Sequence, residues 1–246
     1  MRLAIISDIH SNIEALEAVL PPIDAERVDG VLNLGDIVGY NAGPNECLEL
    51  LQGRPVLSLA GNHDLALLEE ERAQHFNLIA YEALQWNRQA VRQEFWEFFK
   101  TLPLVREGQG FLACHGTPTS TEAYVVYHFQ GKRLLNFIRD RKNLRVCFFG
   151  HTHRRALWYL DIRGKVAALP VSPGKIYLDR ECLYLINPGS VGQPRDGNPE
   201  AAYAIFDDQE FSIDFKSVPY DVAAAQRRIL AAGLPEFLAE RLSQGI

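Results

Sequence analysis

The chain is poor in cysteine: Cys47, Cys114, Cys147 and Cys182 are scattered and show no Cys-x-x-Cys spacing. That excludes a disulfide framework, and Cys114 and Cys147 sit in apolar runs that read as buried strands, where a free thiol behaves as a small hydrophobe. No hydrophobic run is long enough to span a membrane, and Leu3-Ala4-Ile5-Ile6 is interrupted by Asp8 too soon to be a signal peptide. The expectation is therefore a soluble, cytoplasmic protein without a membrane partner. Internal repeats, low-complexity tracts and Gly/Ser linkers are absent, so the 246 residues are expected to form one domain, residues 1–246. Excess basic charge is lacking too. A net charge of −6 without a Lys/Arg stripe argues against a nucleic-acid partner. A phosphate-bearing substrate stays open, because bound metal ions invert the local field of an acidic protein.

What is present is a repeated grammar of short apolar runs, each ending in a polar cluster. Leu3-Ala4-Ile5-Ile6 suits a strand buried on both faces and leads into Ser7-Asp8-Ile9-His10-Ser11-Asn12. Ser11 or Asn12 can cap the following helix, whose apolar positions Ile13, Leu16, Val19, Leu20 and Ile23 keep helical spacing. Val31-Leu32-Asn33-Leu34 delivers Gly35-Asp36, and Pro55-Val56-Leu57-Ser58-Leu59 delivers Gly61-Asn62-His63-Asp64. Gly110-Phe111-Leu112-Ala113-Cys114 delivers His115. Finally, Arg145-Val146-Cys147-Phe148-Phe149 delivers Gly150-His151-Thr152-His153. Past a strand end, a turn can splay two histidines one residue apart toward two neighbouring points. Such a pair can serve two metals.

Between these runs lie a helical insertion at about 65–108, a loop and helix insertion at about 117–142 with its helix over about Lys132–Lys142, and a C-terminal helical segment at about 219–246. The first insertion reads as a helical pair packed on a sheet, with an aromatic wall for a flat substrate group as the sharper alternative. His75 and His128 read as structural. Short runs between Ala156 and Ile186 suggest antiparallel strands, and the runs flanking Asp207-Asp208 suggest a hairpin. The order implies an α/β fold with two sheets stacked face to face and helices outside.

The polar clusters collect Asp8, His10, Asp36, Asn62, His115, His151 and His153, with His63 beside them. Carboxylate, imidazole and amide oxygen together suit Mn, Fe, Zn or Ni rather than calcium or a closed structural zinc. Seven ligands are too many for one ion and suit two if a carboxylate bridges. Two ions roughly 3.5–4 Å apart can hold a hydroxide between them and clamp phosphoryl oxygens during in-line displacement.

The ordered motifs Asp-x-His, Gly-Asp, Gly-Asn-His-Asp, His and Gly-His-x-His resemble those of the calcineurin-like binuclear metallophosphoesterases, from residue 3 to about 195. The resemblance implies a four-layer α/β/β/α sandwich and a metal-dependent hydrolase of phosphodiester or phosphoanhydride bonds. It also implies two divalent cations, one held by Asp8, His10 and His153, the other by Asn62, His115 and His151, with Asp36 bridging. His63 would protonate the leaving oxygen, with Asp64 orienting it. Protein phosphatases and symmetrical dinucleoside polyphosphatases carry an acid and an arginine shortly after the bridging Asp. Here that stretch is Gly35-Asp36-Ile37-Val38-Gly39-Tyr40-Asn41, and the arginine is missing. The chain looks more like the small prokaryotic phosphodiesterases, which share the Asp-x-His-Ser-Asn opening and the Asn187-Pro188-Gly189-Ser190 loop. Arg195 either supplies the missing guanidinium or is a solvated loop charge. The expected substrate is a nucleotide-like small molecule. A dinucleoside polyphosphate hydrolase, a phosphoprotein phosphatase and a non-catalytic binding scaffold are the alternatives.

Overall fold

A computed structural model describes residues 1–141 and 143–246. In chain order the elements are β1 (Arg2–Ile6), α1 (Ile13–Ala25), β2 (Gly30–Asn33), α2 (Pro44–Gln52), β3 (Val56–Ser58), α3 (Asn62–Leu68), α4 (Glu70–Ala73), α5 (Leu78–Ala90), α6 (Trp96–Thr101), β4 (Val105–Gly108) and β5 (Phe111–Cys114). Then follow α7 (His128–Arg139), β6 (Val146–Phe148), β7 (Ala156–Leu160), β8 (Val166–Leu169), β9 (Gly174–Tyr177), β10 (Leu183–Asn187), β11 (Ala201–Asp207), β12 (Ser212–Val218), α8 (Val222–Ala231) and α9 (Glu236–Gln244).

The strands form two six-stranded sheets, ordered β3-β2-β1-β11-β12-β9 and β4-β5-β6-β10-β7-β8. Alternation along each strand builds the layers, because successive side chains point to opposite faces. Leu3 and Ile5 of β1 meet Phe111, Val146, Phe148 and Ile186 in the core between the sheets. Ala4 and Ile6 face the other way, against Leu16, Val19 and Ile23 of α1. On the second sheet, Leu112, Cys114, Cys147 and Leu185 pack against Leu134, Leu135 and Ile138 of α7. The result is the four-layer α/β/β/α sandwich.

β1, β2 and β3 run parallel, as do β5, β6 and β10, so the carboxyl ends of β1, β2, β3, β5 and β6 open toward one edge. Ligands bind at such carboxyl ends in α/β folds. The expected hairpin around Asp207-Asp208 is the β11–β12 pair, and the C-terminal helical segment divides into α8 and α9 around Gly233 and Pro235. Among the described residues no helix is long and apolar enough to cross a membrane.

Three details differ from the sequence reading. The 65–108 segment is not helical throughout, because Val105–Gly108 forms β4. Val-Arg-Glu-Gly carries no apolar alternation of its own; pairing with β5 makes it a strand. The segment also holds α3 to α6 rather than a simple pair. Finally, α7 begins at His128, four residues before Lys132, and its expected end at Lys142 lies outside the described residues.

Candidate metal centre

Each expected ligand lies where a strand stops and the chain turns sharply. Asp8, His10, Ser11, Asp36, Tyr40, His151 and His153 all have positive φ, between 48° and 64°; outside this region only Arg27 and Phe211 do so among the described non-glycine residues. A left-handed residue bearing a side chain is uncommon and costs free energy, so its persistence here marks a backbone held by its surroundings. The holding groups are visible. Asp64 accepts hydrogen bonds from the amides of Asp36 (2.8 Å), Ile37 (2.9 Å), Val38 (3.3 Å) and Gly61 (2.9 Å). The Ser190 hydroxyl donates to the Asp8 carbonyl at 2.8 Å, and the Asn187 amide donates to the Gly150 carbonyl at 2.8 Å. The Asn-Pro-Gly-Ser loop thus fastens the β1 and β6 turns together. Gly61 lies so close to Asp36 that a Cβ would fall 2.0 Å from its Oδ1.

These turns bring the seven residues into one buried cluster. The oxygen and nitrogen atoms of Asp8, His10 and His153 lie within 4.8 Å of one another, and so do those of Asp36, His115 and His151. His151 and His153, one residue apart, therefore point into different groups. The carboxylate shared between the groups is Asp36, whose Oδ2 lies 3.5 Å from His10 Nε2 and 3.2 Å from His115 Nε2. Asn62 joins the second group with its Oδ1 3.1 Å from His115 Nε2.

Main-chain hydrogen bonds fix the imidazole tautomers. His10 Nδ1 donates to the Val38 carbonyl (2.9 Å), His153 Nδ1 to the Gln193 carbonyl (2.6 Å) and His115 Nδ1 to the Leu34 carbonyl (2.9 Å). In a neutral imidazole the other nitrogen is then a lone pair. Yet His10 Nε2 and His153 Nε2 face each other at 3.1 Å, and Asp8 Oδ1, 3.3 Å from His153 Nε2, is buried without a hydrogen-bond donor. His151 donates from Nε2 to the Glu122 carbonyl at 3.1 Å, which leaves Nδ1 as its free ligand atom. Acceptors converge on acceptors, an arrangement that a cation between them resolves. The donor set fits divalent metal ions of the borderline class.

Burial pushes the imidazolium forms of His10 and His153 well below the usual range. It also lowers His151 to about 3 and His63 to about 4. His115 also loses solvation, but Asp36 and Asp8 beside it outweigh that loss and raise it to about 9. Desolvation raises Asp8 to about 6.

His63 is buried beside the cluster, its ring 4.8 Å from His10, 4.7 Å from Tyr40 and 4.5 Å from Phe76. Its Nδ1 has no hydrogen-bond partner among the described residues. Asp64 does not orient it. The two side chains leave the first turn of α3 in different directions, and the Asp64 carboxylate is spent on four backbone amides.

A cleft of about 270 Å³ opens over the cluster, walled by Arg72, His75, Phe76, Tyr124 and Arg195 among others. Arg195 lies on its rim, with both Nε and Nη2 on the Gln193 side-chain oxygen (3.2 and 2.7 Å) and its guanidinium carbon 5.5 Å from the Tyr40 ring centre. Among the described residues no carboxylate lies within 4.0 Å of it, unlike the Arg155–Asp196 pair at 2.7 Å. In the helical insertion Leu84, Phe95 and Phe99 belong to the core, and Phe76 lines the cleft. His75, read as structural, is exposed and lines the cleft. His128 lies outside it, 3.2 Å from the Val166 carbonyl. Sequence reasoning missed Tyr40, Asn87 and Glu122. Asn87 of α5 is buried and accepts from the Ser11 hydroxyl (2.7 Å) and the Gly39 amide (3.3 Å), tying the insertion to two site loops. Tyr40 carries one readable signal, its place directly after Gly39 in the Gly-Asp loop.

The family model for the calcineurin-like phosphoesterase superfamily domain matches residues 1–210. The chain belongs to that family. It is 40% identical over 248 residues to an uncharacterized protein of Methanocaldococcus jannaschii, covering 99% of this chain and 98% of that one. Among solved structures it resembles a metallophosphoesterase from Sphaerobacter thermophilus, with a TM-score of 0.83 and 37% identity over 100% of this chain and 99% of that one. A hypothetical protein from Pyrococcus horikoshii OT3 shares the fold at a TM-score of 0.82 and 18% identity, over 100% and 98% of the two chains. Family and site together support a phosphoesterase hydrolase with buried Asp/His groups able to hold metal ions.

Proposed function

We propose that the protein hydrolyses a phosphodiester or phosphoanhydride bond of a nucleotide-like small molecule, using two divalent cations. The observation that carries the reading is the convergence of lone pairs: His10 and His153 Nε2 at 3.1 Å, with Asp36 Oδ2 facing both histidine groups. Asp8, His10 and His153 would hold one ion, Asn62, His115 and His151 the other, and Asp36 would bridge them. Mn, Fe, Zn and Ni all suit this donor set. When bound, such a pair supplies Lewis acidity and a nucleophile near neutral pH.

The rest falls to the chain itself. Arg195, on the cleft rim and without an acid partner, binds a phosphoryl oxygen, which guanidinium geometry favours. His63 serves the leaving group. Burial keeps its ring neutral in the free site, and an anionic phosphoryl group arriving beside it favours the protonated form. Gly39 leaves space for that ring, since a Cβ there would sit 2.4 Å from His63 Nδ1. Phe76 and Tyr40 exclude water from its faces. The missing arginine after Asp36 and the Asn187-Pro188-Gly189-Ser190 loop support the phosphodiesterase branch over the protein phosphatases. Four free, buried or nearly buried cysteines suit a reducing cytoplasm.

The test compares wild type and His63→Ala, loaded with Mn, Ni or Zn, on an aryl phosphomonoester, an aryl phosphodiester and a diadenosine polyphosphate. Metal-dependent hydrolysis is expected, strongest on the diester or polyphosphate. The variant should lose about 10²-fold or more on the poorer leaving group and less on aryl esters, which need little protonation. Stoichiometric metal binding without turnover of any substrate would instead favour a binding scaffold.

A further inference from the structure

A second cleft, of about 590 Å³, adjoins the first and shares Tyr40, Asn77, Tyr124 and Arg195 with it. Its far wall comes from α9, through Phe237 and Arg241, which lie beyond the residues matched by the family model. The Tyr40 ring joins the two spaces. Its centre is 4.6 Å from that of His10, and 5.5 and 5.9 Å from the guanidinium carbons of Arg195 and Arg241.

Two guanidinium groups thus stand over one ring with no Asp or Glu carboxylate within 4.0 Å of either, among the described residues. Several other partly buried arginines are paired, Arg2 with Glu26 at 2.5 Å, Arg155 with Asp196 at 2.7 Å and Arg228 with Glu14 at 2.9 Å, whereas Arg106, away from both clefts, is not. Arg241 Nε donates to the main-chain oxygen of Ile246 at 2.6 Å, and its two Nη atoms donate to no described group. Burial and the nearby Arg195 push Arg241 down to about 10. The oxygen of Ile246 meets only the Nε edge of Arg241, and two cations side by side in a half-buried wall favour a further anion beside them.

We propose that this second cleft is an anion subsite for a phosphate group other than the one being cleaved, so that the substrate class is molecules carrying at least two phosphates. Arg241 is its specificity-determining residue, with Phe237 packed 5.3 Å from the guanidinium carbon to hold it in place. The proposal rests on the hydrolase reading above and deepens it. A substrate with one phosphate fills only the cleft over the metal cluster. One with a phosphoanhydride chain reaches past Tyr40 to Arg241.

The test is a calorimetric titration of the full chain, free of metal, with inorganic tripolyphosphate and with orthophosphate. Wild type should bind tripolyphosphate at least tenfold more tightly, and Arg241→Gln should lose most of that preference while Arg241→Lys keeps part of it. Equal wild-type affinities for the two anions would overturn the subsite, as would an unchanged preference in a folded Arg241→Gln protein. In metal-loaded enzyme, Arg241→Gln should raise KM for a diadenosine polyphosphate about tenfold more than for an aryl diester; equal effects on both would reduce Arg241 to a structural role. Hydrolysis of aryl esters without tripolyphosphate preference would sink the subsite alone. A wild type that cleaves no phosphoester would sink the proposed reaction, with the calorimetry still deciding the subsite.

Discussion

The two ends of the sandwich treat their polar groups in opposite ways. Around the start of β1 and the β11–β12 turn, charges are partly exposed and matched. Met1 pairs its amino group with Asp208, Arg2 reaches Glu26, and Lys216 reaches both Glu26 and Asp214. At the other end, Asp8, His10, Asp36 and His153 are almost wholly buried and sit on left-handed turns, and the lone pairs of Asp8, His10 and His153 face one another. The first end is arranged for stability of the chain by itself. The second gathers unpaired acceptors, and its geometry is maintained by the buried frame of Asp64, Ser190 and Asn187.

The largest effect should come from removing that frame. Asp64→Ala leaves four buried amides without their acceptor and should destabilise the fold by about 4 kcal/mol or more, at about 1–3 kcal/mol for each unsatisfied group. Denaturant unfolding of metal-free protein measures it. A loss near zero would mean that the site loops hold their shape without the carboxylate.

A smaller change should have the opposite sign. Asp8→Asn, with its Nδ2 in place of the orphaned Oδ1, can donate to His153 Nε2 and should stabilise the metal-free protein by about 1 kcal/mol while weakening metal binding. Paired thermal melts with and without added Mn would show a raised Tm without metal and a diminished rise with it. A lowered Tm without metal would contradict the picture of facing acceptors.

The smallest effect belongs to the other end. Glu26→Gln should cost under about 1 kcal/mol, because partly exposed ion pairs contribute little. The hydrogen bond from Lys216, with Lys216 and Arg2 nearby, holds the Glu26 carboxyl below its ordinary 4.5. Its contribution is thus fully present above pH 4.5 and disappears as the pH falls through the lowered folded value. Urea midpoints of wild type and variant should converge on acidification. A gap that widens below pH 4.5 would break the comparison.

Much of this was legible in the sequence because the two periods that matter are local. Leu3 and Ile5 against Ala4 and Ile6 announce a strand buried on both faces, and the polar cluster after each such run marks one end of a sheet. The members of the buried cluster were legible because each follows a strand end. What was not legible depends on distant partners. β4 exists through pairing with β5, Asn87 matters through Ser11 and Gly39, and Arg241 reaches the cleft only because α9 folds back onto Tyr40. Asp64 was misread for a related reason: adjacency to His63 in sequence says little about which backbone amides its carboxylate meets across the loop.

The proposed reaction depends on the acceptor cluster holding two metal ions that share Asp36. Metal content per chain, measured by elemental analysis after loading with Mn and gel filtration, tests it most directly in wild type, His151→Ala, His153→Ala and Asp36→Ala. Two ions in wild type, about one in each histidine variant and none retained in Asp36→Ala is the predicted pattern. A single ion in wild type, or two ions still retained by Asp36→Ala, would contradict it.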